Sequence, residues 1–434
     1  MNYLLKLHYY LFLVFFLSAV NLNLRANSDV VNNIEVIGNV NSFSIYPGNI
    51  FFEKDESTEL KIPPKLDIPR LIIKDSLVHI PVFRQGEAGY NTYRIPSIEH
   101  AADGTLIAFA EGRRDSRGDP GKGHIDLVYK TSNNGGKIWS EVKVLEKSRE
   151  KWGASNPTSL VLKSGRIFIF YNVWKPGYGG KTSRPGELDN MLWLRYSDNN
   201  GISWSEPQDI TSQGRDITNW GCVVFGPGKA IETGSGRLIV PANAAIAGND
   251  SILNAAFVIY SDDGGKSWKR GDQIDAYTNE NQIVELNDSR ILIDARQSGK
   301  IDTRWRAFST DGGETWSKPD IGQVCPPICA GLINYPVRRH KQDILVWSGL
   351  KGPERNNLIL RLSSDRGLSF PAELLVGPCP AAYSSLILTG KGEIGILWEG
   401  GKKFRHEMII YTIIPRKIVK KLIRIAQEQT ISMQ

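Results

Sequence analysis

The chain has 434 residues, 41% of them hydrophobic, with 11 tryptophans; that is enough for a large core, and 23% charged residues argue against bulk disorder. A net charge of +7 suits an anionic partner, but the basic residues are scattered except at the C-terminus, and they are not interleaved with aromatics as nucleic-acid binding would need. Four cysteines, of which only Cys325 and Cys329 lie close together, exclude a disulfide scaffold, and one C-x3-C without a second pair or a nearby His is no zinc motif.

Residues 1–26 read as an export signal. Lys6 precedes an apolar run from Tyr9 to Val20, which is short for a membrane span and ends in a polar zone at Leu24-Arg25-Ala26. An uncleaved anchor is the alternative. No other segment is apolar and long enough to span a bilayer, and the expected location is periplasmic, extracellular or cell-surface. Residues 27–75, with Pro63-Pro64, read as a short N-terminal extension.

From about residue 76 the pattern is strand and turn, with helical periodicity nearly absent. Runs such as Gly104-Thr105-Leu106-Ile107-Ala108-Phe109 and Gly165-Arg166-Ile167-Phe168-Ile169-Phe170 are β-type. An octapeptide recurs. Its cleanest copy is Ser309-Thr310-Asp311-Gly312-Gly313-Glu314-Thr315-Trp316, and further copies start at residues 132, 197, 261 and 363. The copies at 132 and 197 carry Asn in place of the central Asp, and the last ends in Phe370. Each reads as a hairpin turn in which Asp or Asn caps the backbone, Gly takes a positive φ and the aromatic packs on the hairpin base. Copies at this spacing imply repeated four-stranded units. The expected fold is all-β, a six-bladed β-propeller over 76–415. Residues 416–434 read as a basic tail in which Ile418, Val419, Leu422 and Ile423 form the apolar face of a short helix. That helix either docks on the protein, the favoured reading, or meets an anionic membrane.

Several motifs stand between these turns. Tyr93-Arg94-Ile95-Pro96 opens the first unit. Glu111-Gly112-Arg113 leads into a Gly/Pro-rich loop holding Asp115 and Asp119, with Asp126 heading the next strand. Glu280 lies in Thr278-Asn279-Glu280-Asn281-Gln282, Arg296 ends Leu292-Ile293-Asp294-Ala295-Arg296, and Arg355 lies in Pro353-Glu354-Arg355-Asn356. Tyr383 stands in Ala382-Tyr383-Ser384-Ser385, and Glu399 in Leu397-Trp398-Glu399-Gly400.

Taken in order over roughly 340 residues, these motifs resemble those of the sialidase (neuraminidase) family, bacterial-type exo-α-sialidases with Asp-box repeats. The resemblance implies a retaining glycosidase that removes terminal sialic acid. Sialic acid carries an ionised carboxylate, and planar arginine forks bind carboxylates with direction as well as charge. The resemblance assigns that clamp to Arg94, Arg296 and Arg355, with Arg361 as an alternative for the third. It makes Arg113 a fourth arginine near the sugar's 4-hydroxyl, and Glu399 the group that steadies Arg94. It implies Tyr383 as nucleophile, Glu280 as its base and Asp119 as acid/base; Glu285, Asp115 and Asp126 are the competing acids. A neutral phenol is not repelled by the substrate carboxylate, but it is weak at its ordinary pKa and needs a base. Neighbouring arginines are expected to favour the phenolate, and Asp119 to need a raised pKa. Asn156-Pro157 and Trp220 are expected to line the pocket. The scheme requires no metal or organic cofactor, and the expected partners are sialylated glycans, met by a monomer. A trans-sialidase and a non-catalytic propeller that binds acidic glycans are the rival readings.

Overall fold

A computed structural model describes residues 42–46, 49–53, 77–180, 182–247, 252–274, 277–297, 302–337, 342–352 and 354–433. The expected signal segment lies outside the described residues. The chain divides into two compact units, Met1–Leu66 and Asp67–Gln434. Of the first, the described part is one antiparallel hairpin, Ser42–Tyr46 with Asn49–Glu53. Among the described residues no helix is long and apolar enough to cross a membrane.

The second unit is all-β apart from short helical turns and one terminal helix. Its chain repeatedly forms up-and-down meanders of four antiparallel strands. The first runs Thr92–His100, Leu106–Arg113, Ile125–Ser132 and Lys143–Glu146. Later ones lead with Gly153–Val161, Trp220–Phe225, Thr278–Glu285 and Gly331–Asn334. The 17-residue strand Ala372–Leu388 is shared: its first part pairs with Asn356–Ser363 and its second with Ile394–Gly400. His79–Arg84 then pairs with Met408–Ile414, so the start and the end of this unit meet in one sheet. Strands such as Ile167–Trp174 are buried along their whole length, because a sheet covered on both faces demands continuous apolar runs rather than alternation.

The octapeptide turns explain how neighbouring meanders are held. In each, the Ser hydroxyl accepts the N–H four residues on, as in Gly136 to Ser132 (3.0 Å) and Gly313 to Ser309 (2.8 Å). The central side chain accepts further backbone N–H groups: Asn134 from Lys137 and Ile138 at 3.1 and 3.0 Å, Asp311 from Glu314 and Thr315 at 3.0 and 2.9 Å. Only an acceptor oxygen is needed, so Asn serves as well as Asp. The aromatic residues touch their own turn, as where Trp139 Nε1 donates to the Gly136 carbonyl at 3.0 Å, and they also reach beyond it. Trp139 meets Tyr411, Trp204 meets Phe109, and Trp268 meets Phe170, each in a neighbouring meander, with ring centroids 5.6, 5.7 and 5.1 Å apart. The turn is therefore a staple between sheets.

The staple makes a sharp prediction. At Gly136 (φ 84°) an added Cβ would lie 2.1 Å from Tyr411, whereas at Gly135 (φ 72°) it would meet nothing within 4 Å. Gly136→Ala is expected to cost about 2–4 kcal/mol, from strain and overpacking together, and Gly135→Ala only the strain, about 1 kcal/mol. Urea denaturation of both variants checks this, and equal losses would remove Tyr411 from the explanation.

The terminal helix Arg416–Met433 buries Ile418, Val419, Leu422 and Ala426 in the core that also holds Trp347 and Trp398. Arg416, Lys417, Lys420, Lys421 and Arg424 stay exposed.

Candidate active site

The leading strands share a local irregularity that places the site. Four of them lose register near their N-terminal ends, between Arg94 and Ser97, Ser155 and Thr158, Trp220 and Val223, and Thr278 and Asn281, and the shared strand does so midway, between Ala381 and Ser384. A bulge turns a side chain out of the sheet's alternation, and three of the five deliver Arg94, Glu280 and Tyr383. At the first bulge Ile95 takes φ 59°, a conformation β-branched residues avoid. Its N–H donates to the Glu399 carboxylate at 2.8 Å, which holds the strained turn in place.

Tyr383 is the centre of the cluster, 6% exposed. Its hydroxyl lies 2.6 and 2.7 Å from the two carboxylate oxygens of Glu280. Arg296 reaches both partners, donating from Nη1 to Glu280 at 2.5 Å and to the Tyr383 oxygen at 3.0 Å. The guanidinium carbons of Arg94 and Arg355 sit 5.4 and 5.8 Å from the centre of the same ring. Three arginines thus surround one tyrosine. Each spends part of its fork on the protein: Arg94 Nε donates to Glu399 (2.7 Å) and Arg355 Nη2 to the Pro327 carbonyl (2.6 Å). The Arg296 Nε is buried with no partner among the described residues. The free donors match what a bidentate carboxylate requires.

Burial, and after it the Glu280 charge, push the Tyr383 pKa far above the ordinary phenol value; Arg296, Arg355 and Arg94 pull the other way and are outweighed. The arginines do favour the phenolate, as expected, but burial and Glu280 outweigh them: the phenol stays protonated and donates to Glu280.

Asp119 lies on the loop after Arg113, with its side chain 77% exposed. Arg113 Nη1 donates to the Arg117 and Gly118 carbonyls at 2.8 and 2.9 Å and to Asp119 at 3.1 Å. Desolvation by the loop's surroundings works to raise the Asp119 pKa, but Arg113 and then Arg94 pull it down further, and it ends below the ordinary aspartate value. Arg113 thus stabilises the carboxylate, and the raised value that a proton donor needs is left to closure over the substrate.

The competing residues have other employment. Asp126 accepts from Tyr90 (2.7 Å), Arg114 (2.6 Å) and the Ser148 N–H (2.9 Å), and Asp115 accepts the His124 N–H at 2.9 Å. Glu285 accepts the Gly234 N–H at 2.8 Å. Arg361 is paired with Glu373 and Gln323. Asn156 occupies the second bulge with φ 54°. Trp220 stacks edge-on against Phe257 and beneath Arg270.

Residues 104–396 match the model of the BNR repeat-like domain, two thirds of the chain. The chain belongs to the BNR-repeat sialidase family. It is 29% identical over 342 residues to a sialidase of Micromonospora viridifaciens, covering 74% of this chain and 52% of that one. A sialidase of Bacteroides fragilis is 28% identical over 346 residues, covering 74% and 62%. This chain thus spans less than two thirds of the length of either relative. Among solved structures, a Hadza microbial sialidase superimposes with a TM-score of 0.71 at 24% identity, over 78% of this chain and 69% of the other. The leech intramolecular trans-sialidase complexed with 2,7-anhydro-Neu5Ac gives 0.69 at 18% identity, over 80% and 71%. These likenesses establish the sialidase fold.

In this sialidase-family chain two site residues escaped the motif reading. Glu111 is fully buried, accepts from Arg113 Nε and Nη2 at 2.8 and 2.6 Å and takes the Asn156 N–H at 2.9 Å. It fixes the arginine that holds the Asp119 loop. An acid directly after the apolar run Leu106–Ala110, on the same buried strand, is the signal that marks it. His406 stands 3.8 Å from Glu399, and burial first, then Arg94, lower its pKa to about 3, so it is neutral beside the clamp.

Proposed function

We propose that this chain is a retaining exo-α-sialidase that hydrolyses terminal sialic acid from glycoconjugates, built on a propeller whose six blades are the meanders described above. The observation that carries the reading is the Tyr383–Glu280 contact enclosed by three arginines. A binding module needs the arginines but has no use for a base held on a buried phenol.

In the proposed reaction Arg94, Arg296 and Arg355 clamp the substrate carboxylate. Tyr383 gives its proton to Glu280 as its oxygen attacks the anomeric carbon, and protonated Asp119 delivers its proton to the departing glycosidic oxygen. Asp119, now ionised, takes a proton from water. That water opens the glycosyl–tyrosine bond, and Glu280 returns the phenol proton. Tyrosine replaces the usual carboxylate nucleophile in sialidases. The apolar run Tyr9–Val20 supports export, which is where sialylated glycans are met.

The test is turnover of a fluorogenic sialoside by the purified wild type; no turnover by folded protein would reject the enzyme. Asp119→Asn refines it. With sialyllactose, whose sugar alcohol is a poor leaving group, kcat/KM is expected to fall about 100-fold or more. With an aryl sialoside the loss should be far smaller, since a phenol leaves without prior protonation. Because Arg113 and Arg94 hold the Asp119 pKa low, the wild-type kcat/KM for sialyllactose should fall as pH rises, and the variant should lose that dependence. Analysis of the sugar product, with and without an added acceptor, separates hydrolysis from sialyl transfer.

A further inference from the structure

Beyond the carboxylate clamp, the rim of the site carries cations that the proposed reaction does not use. The turn from Gly401 to Glu407 holds Arg405, which is exposed. The turn is stiff. Glu407 accepts the N–H groups of Lys402 and Lys403 at 2.8 and 3.0 Å, the Glu407 carbonyl accepts the Gln85 N–H at 3.0 Å, and Thr92 donates to the His406 carbonyl at 2.9 Å. Phe404 in the same turn stacks under the guanidinium of Arg117 at 4.9 Å. Arg117 is two residues from Asp119, so this contact joins the Arg405 turn to the loop that meets the glycosidic oxygen. Burial, and after it Arg355 and Arg94, lower the Arg405 pKa; the Glu399 carboxylate opposes them and Arg117 adds to the lowering.

The acids of this rim are already engaged. Asp119 pairs with Arg113, Asp115 accepts the His124 N–H, and Glu407 is bound by its own turn. Among the described residues neither Arg405 nor Arg117 has an ion-pair partner. Two exposed guanidinium groups therefore stand without an ion-pair partner, on the Asp119 loop and on the turn that packs against it.

We propose that Arg405 and Arg117 form an anion subsite for the leaving portion of the substrate, so that the site favours glycans in which the sugar next to the terminal residue carries a carboxylate or a sulfate. The inference rests on the sialidase reading above. A carboxylate or sulfate there meets two forks carried by adjoining segments, whereas a neutral sugar leaves their mutual repulsion in place. Such a contact is exposed, so its effect is modest and sensitive to salt.

The experiment compares kcat/KM for three substrates: α2,3-sialyllactose, the same trisaccharide sulfated on galactose, and α2,8-linked disialyllactose. At low ionic strength the wild type is expected to favour at least one acidic substrate by about fivefold, with the gap closing near 0.5 M salt. Arg405→Ala should bring the ratio close to one while turnover of neutral sialyllactose stays within about twofold, and Arg405→Lys should keep part of the preference. Which acidic substrate is favoured identifies the anion. Equal losses on neutral and acidic substrates, or no wild-type preference, would overturn the subsite. Wild type inert toward all three would instead reject the sialidase reading, and the subsite with it.

Discussion

Tyr383→Phe is expected to lower kcat by about a thousandfold or more while leaving the fold and ligand binding close to wild type. The argument is one of atoms. The substitution removes only the oxygen that meets Glu280 at 2.6 and 2.7 Å and Arg296 at 3.0 Å. It keeps the ring on which Arg94 and Arg355 lie. Glu280 retains its contact with Arg296, so no buried charge is stranded. The phenol's pKa is raised by burial and by Glu280, so a phenolate is not standing ready; attack must be coupled to proton transfer. Glu280→Gln should therefore also be severely impaired, since the amide cannot take the proton. Steady-state rates with the fluorogenic sialoside, and calorimetric titration with free sialic acid, separate chemistry from binding. A Phe variant within tenfold of wild type in kcat would end the nucleophile assignment.

How far the sequence reaches depends on how local each signal is. The octapeptide turns were legible because their hydrogen bonds close within eight residues, as in Ser309 to Gly313. Where the turn's aromatic goes was not, since Trp139 finds Tyr411 across a sheet boundary 272 positions later in the chain. The arginines, Tyr383 and Glu280 were found by resemblance to a family. Their convergence depends on bulges that no period-two pattern shows, and on an αL conformation at Ile95 that β-branched residues rarely adopt. Protonation states were the least legible of all. The arginines pull the Tyr383 pKa down as expected, but the net shift is upward, and Arg113 sets the Asp119 carboxylate low, because burial and ion pairing are properties of the assembled site.

The second large effect is structural, at Glu399. Its side chain is fully buried and accepts three donors: Arg94 Nε at 2.7 Å, the Ile95 N–H at 2.8 Å and the Tyr383 N–H at 3.4 Å. It thus ties two leading strands and compensates a clamp arginine that is itself only 7% exposed. Breaking such a pair by removing one partner strands a buried charge, and Glu399→Gln is expected to cost about 3–5 kcal/mol. The pH dependence gives the signature. Burial works to raise the Glu399 pKa, but Arg94 lowers it more, so in the fold it lies below the ordinary 4.5. A depressed carboxylate stabilises the fold fully above its unfolded pKa, and that stabilisation is lost as pH falls through the folded value. The deficit of Glu399→Gln against wild type should therefore be constant from neutrality down to about pH 5 and shrink below it, where the unfolded chain binds the proton first. Urea denaturation of both proteins across that range measures it. A deficit that does not narrow in acid would show that the pair's charge is not what Gln removes, and would leave Arg94 held in the clamp by shape and hydrogen bonding alone.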